Sequence, residues 1–151
     1  RVFRSMTSSG ANVEPNEVTY TALCHMLARS GDLDMLTKWS NIVEQKYSGT
    51  SNILTSARNK KIMESVYNAI FTGLLLEEGY EYTPKETDAR VRYALAIFTR
   101  MIQAHDHHNR TNNNNNVSIP RPSIASTTIL FQGLARCCEH NFYFHTNDGD
   151  G

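Results

Sequence analysis

One short segment, residues 13–36 (VEPNEVTYTALCHMLARSGDLDML), reads as a helix, a tight turn and the start of a second helix. Pro15 and Asn16 are typical of a helix start, and the apolar residues that follow keep helical spacing. Gly31 is typical of a helix end, and Asp32 is able to cap the next helix. The segment therefore predicts one complete helix with a second helix directly behind it.

The first helix of this pattern occurs three times in the chain. Residues 64–79 (ESVYNAIFTGLLLEEG) parallel residues 17–32 (EVTYTALCHMLARSGD), and residues 122–137 (PSIASTTILFQGLARC) match both. Repeated helices with one apolar stripe each are stable when they stack on one another, so the sequence predicts an all-α fold of stacked units. No segment alternates polar and apolar residues for long enough to predict strands.

These units resemble pentatricopeptide repeats (PPR), found in organellar RNA-binding proteins, which open with a V-T-Y-N-x-L-I-like helix and close with F-x-x-M-x-x-x-G-x-x-P-N/D. Residues 1–16 (RVFRSMTSSGANVEPN) fit that closing half with one extra residue, and residues 93–101 (YALAIFTRM) fit the second helix of another copy. The resemblance covers roughly four fifths of the chain. It implies a right-handed α-solenoid of antiparallel helix pairs and a mitochondrial location.

Insertions interrupt the regular spacing of the units. Thr21 and Asn68 occupy equivalent places 47 residues apart, and Asn68 and Thr128 lie 60 residues apart. The related tetratricopeptide repeat, in contrast, recurs about every 34 residues. We expect the insertions to form loops that project outward, with residues 107–116 poorly ordered. The chain divides into residues 1–16, the closing helix of a truncated unit; residues 17–63, a unit with an insertion near 46–61; residues 64–123, a unit with insertions near 79–87 and 105–121; and residues 124–151, the first helix of a further unit plus a tail.

Periodicity and capping signals set the predicted helix bounds. Thr83, Pro84 and Glu86 supply a capping residue, a first-turn proline and a capping-box acid, which is the clearest helix start in the chain. The predicted helices are residues 1–9, 17–30, 33–45, a long one from within 51–56 to about 78, one from about 84 to 105, and one from 123 to about 140. The helix after Thr83 is expected to bury one stripe: Val91, Leu95, Phe98, Met101 and Ile102. Packing between units is expected at Tyr20, Leu23, Tyr67, Ile70 and Phe98.

Few residues suggest catalysis or metal binding. Residues 105–108 (HDHH) are ligand types for zinc or copper, but they stand beside a run of five asparagines, residues 112–116, without a rigid surrounding to orient them. Cys24, Cys137 and Cys138 make no C-x-x-C arrangement, and Cys24 and one of the late pair are expected to pack as small apolar residues. No P-loop, dinucleotide fingerprint, nucleophile elbow or H-E-x-x-H is present. We expect neither an enzyme nor a bound cofactor.

Charge counts mildly against strong nonspecific RNA binding, and hydropathy counts against a membrane protein. Fifteen basic and fifteen acidic residues give a formal net charge of zero, so no global field attracts nucleic acid or a membrane. The longest apolar patch, residues 69–76, is far shorter than the roughly 18 residues of a membrane span. We expect no membrane span.

The resemblance implies that the first helix of each unit presents side chains to a base of single-stranded RNA. Carried over by alignment, Thr21, Asn68 and Thr128 fall at the base-edge place, and each is able to donate and accept hydrogen bonds. Val18 falls where the family places an aliphatic residue against the base, and Ser123 falls at the closing place, where it would pair with Asn68. The alternative is that these side chains face solvent or cap nearby backbone.

Basic residues offer a second route to RNA. Arg58, Lys60 and Lys61 cluster near the start of the long helix, while Arg90 and Arg92 lie on the next one, where they would contact phosphates without reading sequence. A solvated helix face explains the same residues, because acidic side chains stand close to them in the sequence.

Two functional classes follow from these observations. In the first, the chain is an RNA-binding or architectural subunit of a mitochondrial ribonucleoprotein particle, with single-stranded or ribosomal RNA and mitoribosomal proteins as its partners. In the second, the helical array is a scaffold like those of tetratricopeptide repeats, which holds a protein helix or peptide and contacts no RNA. The polar base-edge positions favour the first class, by analogy with the family.

Overall fold

The computed structural model describes residues 15–47, 53–76, 82–111 and 119–146; for residues 53–56, 105–111 and 139–146 it describes the backbone alone. Five helices occupy these ranges: α1 (Glu17–Ser30), α2 (Leu33–Tyr47), α3 (Ile53–Leu75), α4 (Pro84–Thr111) and α5 (Ile124–Thr146). The described ranges contain no strand, which confirms the all-α class. None of the helices there is long and apolar enough to cross a membrane.

Caps at both ends of α1 form as the sequence predicts. The Asn16 side chain accepts a hydrogen bond from the backbone N–H of Thr19 at 3.0 Å, which satisfies one free donor of the first turn. Gly31 ends α1 in the left-handed conformation, with φ of 74°. Asp32 then caps α2 by accepting from the N–H of Met35 at 3.1 Å. The connection between α1 and α2 is therefore set locally.

The capping box predicted for α4 is also confirmed. The backbone N–H of Thr83 donates to Glu86 Oε2 at 2.9 Å, and the N–H of Glu86 donates back to Thr83 Oγ1 at 3.3 Å. These hydrogen bonds stabilise the carboxylate, and they hold the pKa of Glu86 below its ordinary value.

The helices pack in a repeat-like order. α3 lies between α1 and α5 and contacts both, so that α1, α3 and α5 form one row. α2 packs on α1 and α3, and α4 packs on α3 and α5. Each of these outer helices therefore bridges two neighbours in the row, as the second helix of a stacked unit does. The right-handed superhelix of antiparallel pairs stays a prediction.

Two glycines mark equivalent close approaches within this row. A Cβ built on Gly73 of α3 would lie 2.9 Å from Ala28 Cβ of α1, and one built on Gly133 of α5 would lie 2.3 Å from Leu75 Cβ of α3. Ala28 and Leu75 occupy equivalent places on α1 and α3, 47 residues apart, and Gly73 and Gly133 occupy equivalent places on α3 and α5, 60 residues apart. The same contact is therefore made twice, which supports the alignment of the three helices.

A polar network joins three helices within the core. The fully buried Tyr67 of α3 donates its hydroxyl to Glu44 Oε1 of α2 at 2.6 Å, and Arg100 of α4 pairs with the same carboxylate. Burial and the nearby Glu44 carboxylate raise the pKa of the Tyr67 hydroxyl. The network satisfies the Tyr67 hydroxyl, which would otherwise be costly to bury, while Arg100 Nε is buried without an acceptor among the described residues.

Several helix bounds differ from the expectation. α3 begins at Ile53, within the predicted range of 51–56, and ends at Leu75 instead of about 78. Much of the insertion near residues 46–61 therefore belongs to a helix and does not form an outward loop. α4 runs to Thr111, and so residues 107–111, expected to be poorly ordered, are helical; the asparagine run lies outside the described residues. α5 extends to Thr146. The extra residues continue helices because helix extension satisfies their backbone groups within the segment.

The buried stripe of α4 is also shifted from the expected one. Ala94, Ile97 and Met101 form its buried face, whereas Leu95 and Ile102 are about 40 % exposed. Part of the predicted stripe was therefore wrong, because the direction from which α3 approaches is not encoded in α4 alone.

Four of the five residues expected at contacts between units lie in the core or pack against it. Tyr20, Tyr67 and Ile70 are buried, and Phe98 packs against the core. Leu23 is half-buried at the edge and lies outside the core cluster. Leu23 therefore faces away from the row.

Candidate nucleic-acid interface

A groove of about 620 Å³ runs between α1 and α3, and we name it the α1–α3 groove. Both helices contribute side chains, so the groove exists only because α3 packs beside α1. The lining includes Val18, Thr21 and His25 from α1 with Arg58, Lys61 and Ser65 from α3. Two candidate base contacts and two candidate phosphate contacts thus share one surface.

Val18 and Thr21 lie almost one turn apart on α1 and so face the same side of that helix. Val18 is 67 % exposed, a large apolar side chain open to solvent in the groove. The Thr21 hydroxyl donates to the Glu17 carbonyl at 2.8 Å. Its hydrogen is thereby engaged, and the oxygen is left as an acceptor toward the groove. The pair offers an apolar contact beside a hydrogen-bond acceptor.

The basic side of the groove comes from α3. Arg58 approaches Glu17, with Arg58 Nη2 and Glu17 Oε2 3.7 Å apart, and both side chains are largely exposed. Such a surface pair contributes little and is readily exchanged for another partner. Lys61 is exposed on the same face. The formal charges of Arg58, Lys61 and Glu17 are two positive and one negative, which leaves the groove with a net charge of +1.

Lys46 extends this surface at the amino end of α1. A second cavity of about 500 Å³ adjoins the groove and shares Glu17, Val18 and Arg58 with it. There Lys46 Nζ lies 5.1 Å from the Tyr20 ring centroid and donates to the Pro15 carbonyl at 3.3 Å. No sequence pattern pointed to Lys46, because only the packing of α2 on α1 brings it to this end.

Asn68 lies one helix further along the row. It is half-buried, and its Oδ1 is buried without a hydrogen-bond donor among the described residues. A buried acceptor without a donor is costly, and such atoms often mark a functional position. Because its Oδ1 is enclosed by protein, a base contact at Asn68 stays a prediction, and Asn68 is separate from the α1–α3 groove, whose lining does not include it.

The two candidates on α5 have different surroundings. Ser123 caps the helix, because the N–H of Ser126 donates to Ser123 Oγ at 3.2 Å and the two hydroxyls lie 2.9 Å apart. Thr128 is exposed on the surface of α5. Ser123 is thus engaged locally, as the alternative interpretation expects, while Thr128 remains accessible.

Arg90 serves the fold and does not face a ligand surface. Its residue is only 4 % exposed, and its guanidinium donates to the carbonyls of Ala28 and Arg29 at 2.9 and 2.8 Å. The Tyr82 ring covers the guanidinium, with 3.7 Å between Arg90 Cζ and the ring centroid. Arg90 therefore caps the carboxyl end of α1 from α4, and we omit it from the phosphate contacts.

The remaining basic candidates are exposed but lie apart from the lining. Arg92 pairs with Asp88 one turn earlier on α4 at 2.7 Å. Lys60 neighbours Lys61 on α3 and is exposed without lining the groove. Arg92 therefore offers a matched control for charge effects at the groove.

Metal ligation finds no support in the part of the chain that the structure describes, where no group of three or more His, Cys, Asp or Glu residues lies close enough to hold an ion. The side chains of residues 105–108 lie outside that part. Cys24 is fully buried, and burial raises the pKa of its thiol to about 11, which suits a packing role.

Comparison with known proteins adds no assignment. No family model matches the chain, and neither a curated protein nor a solved structure matches it. The pentatricopeptide resemblance therefore stays an interpretation of the residues, and the site is argued from its geometry.

Proposed function

We propose that the chain binds single-stranded RNA in the α1–α3 groove, as an RNA-binding or architectural subunit of a mitochondrial ribonucleoprotein particle. The observation that carries the proposal is the meeting of Val18 and Thr21 from α1 with Arg58 and Lys61 from α3 on one surface. Phosphate contacts supply affinity, while contacts to base edges supply selectivity, and both kinds are available there. The function is binding and not catalysis.

The chemistry of each side follows from its residues. Val18 provides an apolar surface against a base face, and the Thr21 oxygen accepts from an exocyclic amine or ring N–H at the base edge. Arg58 and Lys61 neutralise phosphates, and Arg58 exchanges its weak contact with Glu17 for this one. With a groove charge of only +1, affinity at physiological salt is modest and depends on the rest of the particle.

Fluorescence anisotropy with a labelled single-stranded RNA tests the proposal. Replacing Lys61 and Arg58 by glutamine should lower affinity for all sequences and flatten the salt dependence by about one to two units. Thr21→Val should instead weaken the preferred sequence by about 1–3 kcal/mol with an unchanged salt slope. Arg92→Gln, which removes a charge away from the groove, is the matched control.

A second candidate is favoured by the apolar part of the lining. Val18, Ala22, Ile62 and Ala69 border the groove, and such a surface also accommodates the apolar face of a peptide helix. If anisotropy detects no RNA at low salt, and a protein partner is retained after the Lys61 and Arg58 replacements but lost on Val18→Asp, the scaffold function replaces the RNA proposal.

A further inference from the structure

α5 presents an apolar surface to solvent on the side away from α3. Ile124 is 89 % exposed and Phe131 is 63 % exposed, which is unusual for side chains of this size on the first and third turns of one helix. They border a shallow cavity of about 480 Å³ together with Thr127 and Thr128. We name this surface the α5 face.

The internal repeat shows what the α5 face is equivalent to. The shifts of 47 and 60 residues carry Cys24 to Phe71 and then to Phe131. Cys24 and Phe71 are fully buried. The next helix in the row approaches on that side, at Gly73 and Gly133 respectively, and Phe98 of α4 also packs against the Phe71 ring. Phe131 has the same place on the third helix, and no described helix follows it.

α1 shows the complementary side of the same interface. The shifts carry Leu23 to Ile70 and to Leu130, which are 0 % and 2 % exposed. Leu23 itself is half-buried, and Met26, on the same side, is 65 % exposed. We name this side, Leu23 with Met26, the α1 face. Among the described helices this interface is formed twice, and its two halves are each exposed once, on α5 and on α1.

We propose that these two halves join, so that the α5 face of one copy of the chain packs on the α1 face of a second copy, head to tail. Phe131 of the first copy then contacts Leu23 of the second copy. The equivalent residues within the chain are Phe71 of α3 and Leu130 of α5. Ala135 comes opposite Met26, where Leu75 comes opposite Gly133 within the chain. Within the chain the large side chain, Leu75, comes from the first helix of the pair, whereas between copies the large side chain, Met26, comes from the second. The combined side-chain volume of the two pairs is therefore similar. Neither named set contains a charged residue. At the edge of the contact the shifts bring Arg29 of the second copy opposite Arg136 of the first, as Arg136 lies opposite Leu76 within the chain, so one pair of like charges stands beside the apolar contact.

Such a contact joins two different surfaces and is therefore heterologous. A heterologous contact leaves one α5 face and one α1 face free on every assembly, so chains of copies grow with concentration instead of closing as a symmetric dimer. Head-to-tail association extends the row of helices that RNA would follow in the proposed function. It depends on helix packing alone and does not require that the groove binds RNA.

Sedimentation equilibrium of the full 151-residue chain tests the proposal. The weight-average mass should rise with concentration above the monomer mass of 17.1 kDa. Phe131→Asp removes the α5 face and Met26→Asp removes the α1 face, and each variant alone should remain monomeric. Both sites are exposed, so the helical circular dichroism signal should be unchanged. Ile102→Asp, a matched change at an exposed apolar residue of α4, should associate as the unmodified chain does.

Mixing the two variants gives the decisive measurement. The intact α1 face of the Phe131→Asp chain meets the intact α5 face of the Met26→Asp chain, so an equimolar mixture should form a dimer of about twice 17.1 kDa and grow no further. A monomeric unmodified chain at every concentration overturns the proposal, and so does an equimolar mixture that stays monomeric. Self-association of either single variant to the level of the unmodified chain also overturns it.

Discussion

Replacing Gly73 by alanine tests the contact on which the row of helices depends. In an exposed helix interior this change stabilises by about 1 kcal/mol, because alanine is the better helix former. At Gly73 the new Cβ would lie 2.7 Å from the His25 carbonyl oxygen, 2.9 Å from Ala28 Cβ and 3.2 Å from the Arg29 nitrogen of α1. The sign of the effect therefore separates a packed glycine from an exposed one.

The magnitude follows from the kind of atoms met. Two of the three belong to backbone and the third is a Cβ, so none can rotate away and the helices must separate. Overpacking of this kind costs about 1–3 kcal/mol, and rigid neighbours place Gly73→Ala at the upper end. After the gain in helix propensity, the net loss of unfolding free energy is about 2 kcal/mol, and the melting temperature falls by about 4–8 °C for a chain of this length.

Urea denaturation followed by circular dichroism measures the effect. Ser65→Ala, an exposed position on the same helix, is the control and should change stability by less than about 0.5 kcal/mol. Adding Ala28→Gly to Gly73→Ala should yield a favourable coupling energy, because it removes one of the close contacts. A Gly73→Ala variant that is more stable by about 1 kcal/mol would refute the close packing of α1 on α3.

Three further predictions concern single groups. Tyr67→Phe should lower the unfolding free energy by about 1.5–3 kcal/mol in urea titrations, because the buried hydroxyl donates to a carboxylate. The Tyr93 hydroxyl meets Thr37 at the exposed surface, so an equal loss for Tyr93→Phe would contradict a special contribution from the buried hydroxyl of Tyr67. The pKa of Glu86 is lower in the folded chain than in the unfolded chain. The Glu86 carboxylate therefore stabilises the fold at pH values above its unfolded-state pKa, and this stabilisation is lost as the pH falls through its folded-state pKa. The difference in melting temperature between the unmodified chain and Glu86→Gln should therefore narrow on acidification, and a widening would count against the capping box. A thiol reagent at pH 8 should modify the exposed Cys138 of the folded chain quickly. It should modify the buried Cys24, whose pKa is raised to about 11, only after the chain is unfolded. Fast labelling of the folded chain that disappears in the Cys24→Ala variant would disprove the burial of Cys24.

Local features of the chain were predictable because their physics is local. Asn16, Gly31 and the Thr83 with Glu86 pair act within four residues of themselves, so the sequence alone specifies these helix ends. The all-α class and the three equivalent helices followed from periodicity in the same way. The groove residues Val18 and Thr21 were also identified from their place in the repeat.

Other features depend on which helix lies beside which, and only the tertiary structure decided them. Arg90 resembled a surface cation in the sequence, yet α1 and α3 close over it and turn it into a cap for carbonyls 61 and 62 residues away. Leu95 and Ile102 shared the helical spacing of a buried stripe, but the approach of α3 selected the neighbouring face.

The candidate site divides along the same line. The sequence by itself determined the side chains that α1 presents, since a helix with known caps and register fixes which residues share a face. It did not determine that Arg58 and Lys61 stand opposite them, some 40 residues later, or that Lys46 of α2 joins from the side. Those positions depend on the length of α3 and on the glycine contact that sets its distance from α1. Long-range packing is a property of several helices at once, and no single segment encodes it.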